Sequence, residues 1–202
     1  MHISEGVLSG PVLVSGYALA AAGTALGLKK LDYEKIAQVG ILGASFFVAS
    51  LIHIPIGPAN AHLILNGIVG LLLGWGAFPA ILVALTLQAV LFQFGGITPL
   101  GVNTVIMAVP AVTGFYLFGW MVRRKPDLTA VAAFFCGFGA VFFSAIIAGA
   151  ALMFTEDDFL KIAYLLVAAH LPVMVVEGIV TAFCVGFLKK VRPEILAAHH
   201  QG

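Results

Sequence analysis

The chain reads as an all-α, polytopic membrane protein with seven transmembrane helices, its N-terminus outside and its C-terminus in the cytoplasm. Three observations carry this reading. Of the 202 residues, 61% are apolar and only 9% charged, against about 25% charged in ordinary soluble domains, so the bilayer must be the solvent for most of the surface. Charged or Pro/Gly-rich breaks divide the sequence into apolar runs of roughly the 20 residues that a helix needs to cross a membrane. When these runs are taken as seven alternating spans, nine of the ten basic residues fall on one side, as cytoplasmic loops require.

The first run, 7–28, ends at Lys29-Lys30 and the charged stretch through Lys35. The second, 36–54, ends at a Pro/Gly-rich loop from Pro55 to Asn60. The third and fourth, 60–75 and 78–94, are separated by Gly74-Trp75-Gly76 and Pro79; both are short, and are expected as marginal spans or tilted helices packed inside the bundle. The fifth, 100–122, follows Gly95-Gly96 and Pro99 and stops at Arg123-Arg124-Lys125. The sixth, 128–154, stops at Glu156-Asp157-Asp158. The seventh, 159–188, stops at Lys189, Lys190 and Arg192, leaving a short cytoplasmic tail over 189–202. The whole of 1–202 is one membrane-embedded domain. Seven spans leave only Lys161 on the outer side; six would scatter the charges. Met1-His2, the stretch from His53 to His62, the Gly95-Gly96 turn and the Glu156–Asp158 loop then all collect outside. The N-terminus has no basic n-region, and His2 and Glu5 precede the first apolar run, so it is expected to be retained rather than cleaved as a signal peptide.

Composition also excludes. A net charge of +1, with basic residues only at helix ends, excludes nucleic acid as a partner. No P-loop, HExxH or nucleophile elbow occurs, so the chain does not bind ATP through a P-loop and any energy for transport comes from a gradient or a partner. Cys136 and Cys184 sit singly in apolar runs and read as packed thiols. Small residues four apart, Gly23 with Gly27 and Gly40 with Ala44, read as close helix packing within the bundle or against a partner subunit.

His2 carries the most chemistry. A free α-amino group, the next backbone amide and the His2 Nδ1 can close adjacent five- and six-membered chelate rings on one metal ion, and one further imidazole completes a planar set of four nitrogens. Such a set suits Ni(II) or Cu(II), and Co(II) also accepts nitrogen ligands. The alternative is a histidine at a frayed end. His62 is the candidate for the fourth nitrogen: the stiff Ile54–Asn60 loop is expected to enter a helix near Asn60, with Asn60 as N-cap and His62 in the first turn. A helix-start histidine bonded to the loop is the competing reading. His53, close to the same loop, is a candidate ligand or an orienting partner of one. His170, Met174 and Glu177 share one helix face, as a metal relay or as a hydrogen-bonded structural pair. Glu177 is the one carboxylate deep within a span and needs a partner. Gln88, Gln93, Asn66 and Asn103 are expected to make interhelical hydrogen bonds.

The start Met-His-Ile-Ser-Glu-Gly-Val-Leu-Ser, the loop Ile54-Pro55-Ile56-Gly57-Pro58 through His62-Leu63-Ile64-Leu65-Asn66-Gly67, the run Phe92–Thr98 and the run His170–Gly178 resemble the CbiM/NikM proteins, the substrate-binding S components of energy-coupling-factor importers for cobalt and nickel. The resemblance covers nearly the whole chain. It implies seven helices, of which the first (1–28) is an addition relative to other S components. It implies a metal held by the Met1 amine, the His2 amide and ring, and His62; His53 and Asn60, in the same loop, are candidates for orienting those ligands. It implies Co(II) or Ni(II) as transported substrate with no prosthetic group. The implied partners are a transmembrane coupling subunit, cytoplasmic ATPase subunits and a small accessory membrane subunit. His53 stands where nickel-type members carry asparagine and the loop is slightly shorter, which leans the resemblance toward cobalt. The competing function is a self-sufficient secondary carrier or channel for a divalent metal or another small solute; an intramembrane enzyme lacks any nucleophile–base pair.

Overall fold

A computed structural model describes residues 2–56, 59–155 and 159–197, with the side chains of 53–61, 159–163 and 197 also outside the description. Met1, the Glu156–Asp158 loop, His199 and His200 therefore lie outside the described residues. The elements in order are α1 (Gly10–Lys29), α2 (Ile36–Ala49), a hairpin of β1 (His53–Ile56) and β2 (Ala59–His62), α3 (Asn66–Leu73), α4 (Ala77–Phe92), α5 (Leu100–Arg124), α6 (Thr129–Met153), α7 (Phe159–Val191) and a short α8 (Pro193–Ala197).

The long helices follow the apolar runs closely because each run ends in residues that cannot continue it into hydrocarbon. α1 opens with Ser9 in an extended conformation and Pro11 in the first turn, where a missing N–H costs nothing. α5 ends in Arg123-Arg124 and α7 in Lys189-Lys190, cations that face the negative end of the helix dipole. Among the described residues, five stretches are long and apolar enough to cross a membrane: Gly10–Lys29, Asn66–Phe92, Leu100–Arg124, Pro126–Met153 and Tyr164–Val191.

The second of these stretches is a helical hairpin rather than one rod. Gly74 takes φ +53 with ψ −122, a conformation that favours glycine, and the chain turns back there. The start of α3 and the end of α4 lie at the same pole, since His62, just before α3, and Gln88, near the end of α4, both reach the His2 ring. All eight residues of α3 are buried; at about 1.5 Å per residue it is roughly 12 Å long, far short of a span. The expectation of short helices packed inside the bundle holds for α3. Asn66 at its start donates to the Met107 carbonyl of α5 and the Ser144 hydroxyl of α6, the interhelical role expected of it. Gly70 lets α3 lie directly on α5: a Cβ there would overlap the Ala111 carbonyl. The outer helices present large apolar side chains outward, among them Val14, Ile41, Val83 and Phe183, which suits hydrocarbon rather than water.

The molecule has two unlike ends. At one, the Lys30 ammonium lies 5.3 Å from the Trp75 ring and that of Lys125 5.4 Å from Trp120, while Lys189 donates to the Pro126 carbonyl and the Thr129 hydroxyl. At the other, residues 2–9 meet the 94–98 turn and Phe154–Thr155.

The sequence reading is corrected between residues 50 and 66. α2 stops at Ala49 instead of 54, and α3 begins at Asn66 instead of 60. Between them lies an antiparallel hairpin in the register His53↔His62, Ile54↔Ala61, Pro55↔Asn60, Ile56↔Ala59. It is the one departure from an all-α chain among the described residues. Asn60 is therefore not an N-cap and His62 is not in a helical first turn. Two β-branched isoleucines flanking Pro55 favour extended backbone, and the helix waits for Leu65, whose left-handed φ of +59 turns the chain into α3. Gly23 and Gly27 serve internal packing, against Phe78 and against Trp75 and Pro79, whereas a Cβ on Gly40 would meet nothing within 4 Å.

This contrast yields a prediction. Gly70→Ala should destabilise the protein by about 1–3 kcal/mol, the usual effect of overpacking, seen as a lower thermal midpoint in detergent. Gly40→Ala should leave the midpoint unchanged or slightly raised, since alanine is the better helix former.

Candidate metal centre

The N-terminal segment 2–9 is drawn into the helix bundle, and each of its contacts has an identifiable cause. Ile3 and Leu8 are buried apolar anchors in the core. Asn103 of α5, itself buried, grips the Ile3 peptide group at both ends: Ile3 N–H donates to its Oδ1 at 3.0 Å and its Nδ2 donates to the Ile3 carbonyl at 3.0 Å. The Glu5 carboxylate accepts the Ile97 and Thr98 amides at 2.9 and 3.3 Å. The Gly95-Gly96 pair makes this docking feasible. Both have positive φ, and a side chain at Gly95 would meet Asn103 and His2, while one at Gly96 would overlap Glu5. Ser9 closes the segment by donating its amide to Thr155 Oγ1 at 3.4 Å.

His2 is thereby carried to the start of the hairpin–helix junction. Its Nδ1 lies 3.1 Å from His62 Nε2, the two rings tilted at 33° with centroids 4.8 Å apart. The other nitrogen of each ring faces a carbonyl oxygen. His2 Nε2 lies 2.8 Å from Gln88 Oε1, and His62 Nδ1 lies 2.9 Å from the Leu63 carbonyl. A carbonyl oxygen can only accept, so His62 Nδ1, and His2 Nε2 with the Gln88 amide in this orientation, carry the protons. The facing nitrogens, His2 Nδ1 and His62 Nε2, are then both lone pairs directed at one another, an arrangement that a shared cation relieves. Burial pushes the His2 pKa down from its usual value to about 2, so a proton is a poor candidate for that cation at neutral pH.

Metal–imidazole bonds are about 2.0–2.1 Å, and two such ligands at a right angle stand about 2.9 Å apart, close to the 3.1 Å seen here. Among the described residues no three His, Cys, Asp or Glu side chains converge.

The other candidates are placed as follows. Met1 lies outside the described residues. The backbone of His53 pairs directly with that of His62 and Asn60 with Pro55; their side chains lie outside the description. His170 donates through Nδ1 to the Leu166 carbonyl of its own helix at 2.7 Å, and Glu177 instead receives the Ile64 and Leu65 amides, so these two have separate partners. Gln88 and Asn103, expected to bridge helices, bridge a helix to the N-terminal segment. Gln93 is exposed and ends α4 in a left-handed conformation. Nothing local in the sequence pairs Glu5 with residues 97 and 98.

The family model of CbiM, described as the cobalt uptake substrate-specific transmembrane region, matches residues 2–195. A metal transport protein of Haemophilus influenzae is 41% identical over 201 residues, which cover 97% of each chain. A fused nickel transport protein, NikMN, of Rhodobacter capsulatus is 33% identical over 222 residues, matching 98% of this chain but 64% of that longer one. A solved transition metal transporter shares the fold over the full length of both chains, with a TM-score of 0.78 at 24% identity.

Two predictions follow from the docking of the N-terminal segment. Asn103→Leu removes both hydrogen bonds to Ile3 and leaves a buried N–H unpaired, a loss of about 1–3 kcal/mol; amide exchange at Ile3 should quicken on the order of tenfold or more. The second concerns pH. Released into water, His2 takes up a proton near 6.5, whereas docked it does not until about 2. Between those values the released state binds more protons, so docking is at full strength above about pH 6.5 and weakens as pH falls below it. Exchange in the 2–9 peptide, corrected for intrinsic rate, should be faster at pH 5 than at pH 7.5.

Proposed function

The chain belongs to the CbiM family of cobalt uptake transmembrane proteins, a multi-pass membrane family of metal transport components, and on that footing we propose that it captures Co(II) or Ni(II) outside the cytoplasmic membrane. In this reading it is the substrate-specific subunit of an ATP-driven importer of the energy-coupling-factor type. The observation that carries the reading is the pair of facing ring nitrogens, His2 Nδ1 and His62 Nε2, 3.1 Å apart.

The metal sits between these two nitrogens and takes two more from the α-amino group of Met1 and the amide nitrogen of His2. The amine has an ordinary pKa near 8, so a metal displaces its proton readily at neutral pH. Four nitrogens in or near a plane suit Ni(II) and are accessible to Co(II). Gln88 and the Leu63 carbonyl act as the partners that fix each ring's tautomer and aim its other nitrogen at the metal. Because Ile3, Glu5 and Ser9 dock the same segment that carries His2, capture and ordering of the N-terminus are one event.

Orientation follows from charge. Lys29, Lys30 and Lys35, Arg123, Arg124 and Lys125, and Lys189, Lys190 and Arg192 gather at the end away from His2, which the positive-inside rule makes cytoplasmic. The chain then crosses the bilayer seven times, α3 covering only part of the third crossing, with His2 toward the outside. The chain has no P-loop, so ATP hydrolysis falls to cytoplasmic ATPase subunits acting through a transmembrane coupling subunit, with a small accessory membrane subunit as a further partner.

Titration of the purified protein with Ni(II) and Co(II) tests the site. His2→Ala and His62→Ala should each weaken binding by about a hundredfold or more, at least as much as the loss of an orienting partner costs. One residue added before Met1 should do the same by moving the amine away. If the extended protein binds metal as tightly as the native one, the amine is not a ligand. Metal uptake into proteoliposomes by this chain alone, driven by an ion gradient, would make it a self-sufficient carrier instead.

A further inference from the structure

Glu177 is fully buried in the middle of α7, and the capture of a metal by His2 and His62 gives it no role. A carboxylate in such a place is costly unless its acceptors are filled. Its partners are the backbone amides of Ile64 and Leu65, at the entrance to α3. Oε1 accepts from Ile64 and from Leu65, and Oε2 also lies 3.0 Å from Leu65 N.

One peptide unit links this carboxylate to His62. The Leu63–Ile64 peptide donates its N–H to Glu177 Oε1, and its carbonyl accepts the His62 Nδ1 proton at 2.9 Å. The carboxylate thus fixes the plane of the peptide whose oxygen sets the ring orientation and tautomer of His62. Carboxylates commonly orient metal-binding histidines by direct contact; here the same effect passes through a polarised amide, and hydrogen bonds in such a chain reinforce one another.

Two further features make the junction dependent on Glu177. Leu65 adopts φ +59 without being glycine, a conformation that persists only where the surroundings impose it. The α3 N-cap has no side-chain hydrogen bond of its own, so the Glu177 carboxyl group also supplies acceptors for amides at the helix start.

Resting on the proposed metal site, we infer that Glu177 is a positioning residue for metal capture: through the Leu63–Ile64 peptide it holds the His62 ring, and hence Nε2, at the metal. This makes α7, 113 residues away from Ile64 in sequence, part of the site without giving it a ligand.

The test is Ni(II) titration of the full chain, followed by both affinity and the ligand-field absorption band, for Glu177→Gln, Glu177→Leu, His62→Ala and the double variants with His62→Ala. Glu177→Gln keeps one acceptor oxygen but places an NH2 group beside Leu65 N, and should bind Ni(II) roughly three- to tenfold more weakly with a shifted band. Glu177→Leu should lose at least tenfold more than that. In the His62→Ala background neither change should weaken binding further, since the group being positioned is gone. If Glu177→Leu does not yield folded protein, the Gln cycle decides alone. Unchanged affinity and an unchanged band in Glu177→Gln, or full additivity with His62→Ala, would overturn the inference. Failure of His62→Ala itself to weaken binding would instead overturn the metal site on which it rests.

Discussion

A peptide backbone pulled into an apolar bundle must find partners for its N–H and C=O groups there, because hydrocarbon offers none. Asn103 meets that demand for Ile3 with both halves of one carboxamide, and the placement of His2 depends on it. Without that clamp, the residues before α1 would return to water, where their polar groups are satisfied at no cost. With it, the one segment of this chain that carries a chelating sequence is held beside His62. Glu5 on the Ile97 and Thr98 amides and Ser9 on Thr155 extend the same logic along the segment.

Polar groups inside the bundle concentrate around this segment and the hairpin–α3 junction. Gln88 faces His2, Asn66 ties α3 to α5 and α6, and Glu177 holds the backbone that follows His62. Elsewhere the interior is packed through small residues, as where Gly70 meets Ala111 and Gly67 meets Gly137. Polar side chains buried in a membrane are expensive, and their clustering coincides with the proposed metal site. The opposite end uses aromatic rings to carry Lys30, Arg123 and Lys125, an arrangement suited to an interface with water and lipid headgroups.

Much of this was legible in the sequence. The boundaries of α1, α5, α6 and α7 follow from long apolar runs that end in charge, a strong local signal. His62 and His2 stood out because histidine is rare in such surroundings. The hairpin at His53–His62 was not legible: strands of four residues have no periodicity to read, and Pro55 argues for a loop as readily as for a strand. Reading Asn60 as an N-cap failed for a related reason, since α3 is started by the left-handed Leu65 and a carboxylate from α7, and neither leaves a local mark. The partners of Gln88, Asn103 and Glu177 lie 86 to 113 residues away, a distance at which polarity reveals that a partner is required but not which one.

The most direct test is an anomalous-scattering map of crystals of the Co(II)- or Ni(II)-loaded protein at the metal's absorption edge. A single strong peak within about 2.1 Å of both His2 Nδ1 and His62 Nε2, the length of a metal–imidazole bond, with Met1 N and His2 N completing a near-planar set, is the predicted result. A peak bound by oxygen or sulfur ligands, or one located away from the His2–His62 pair, would contradict it.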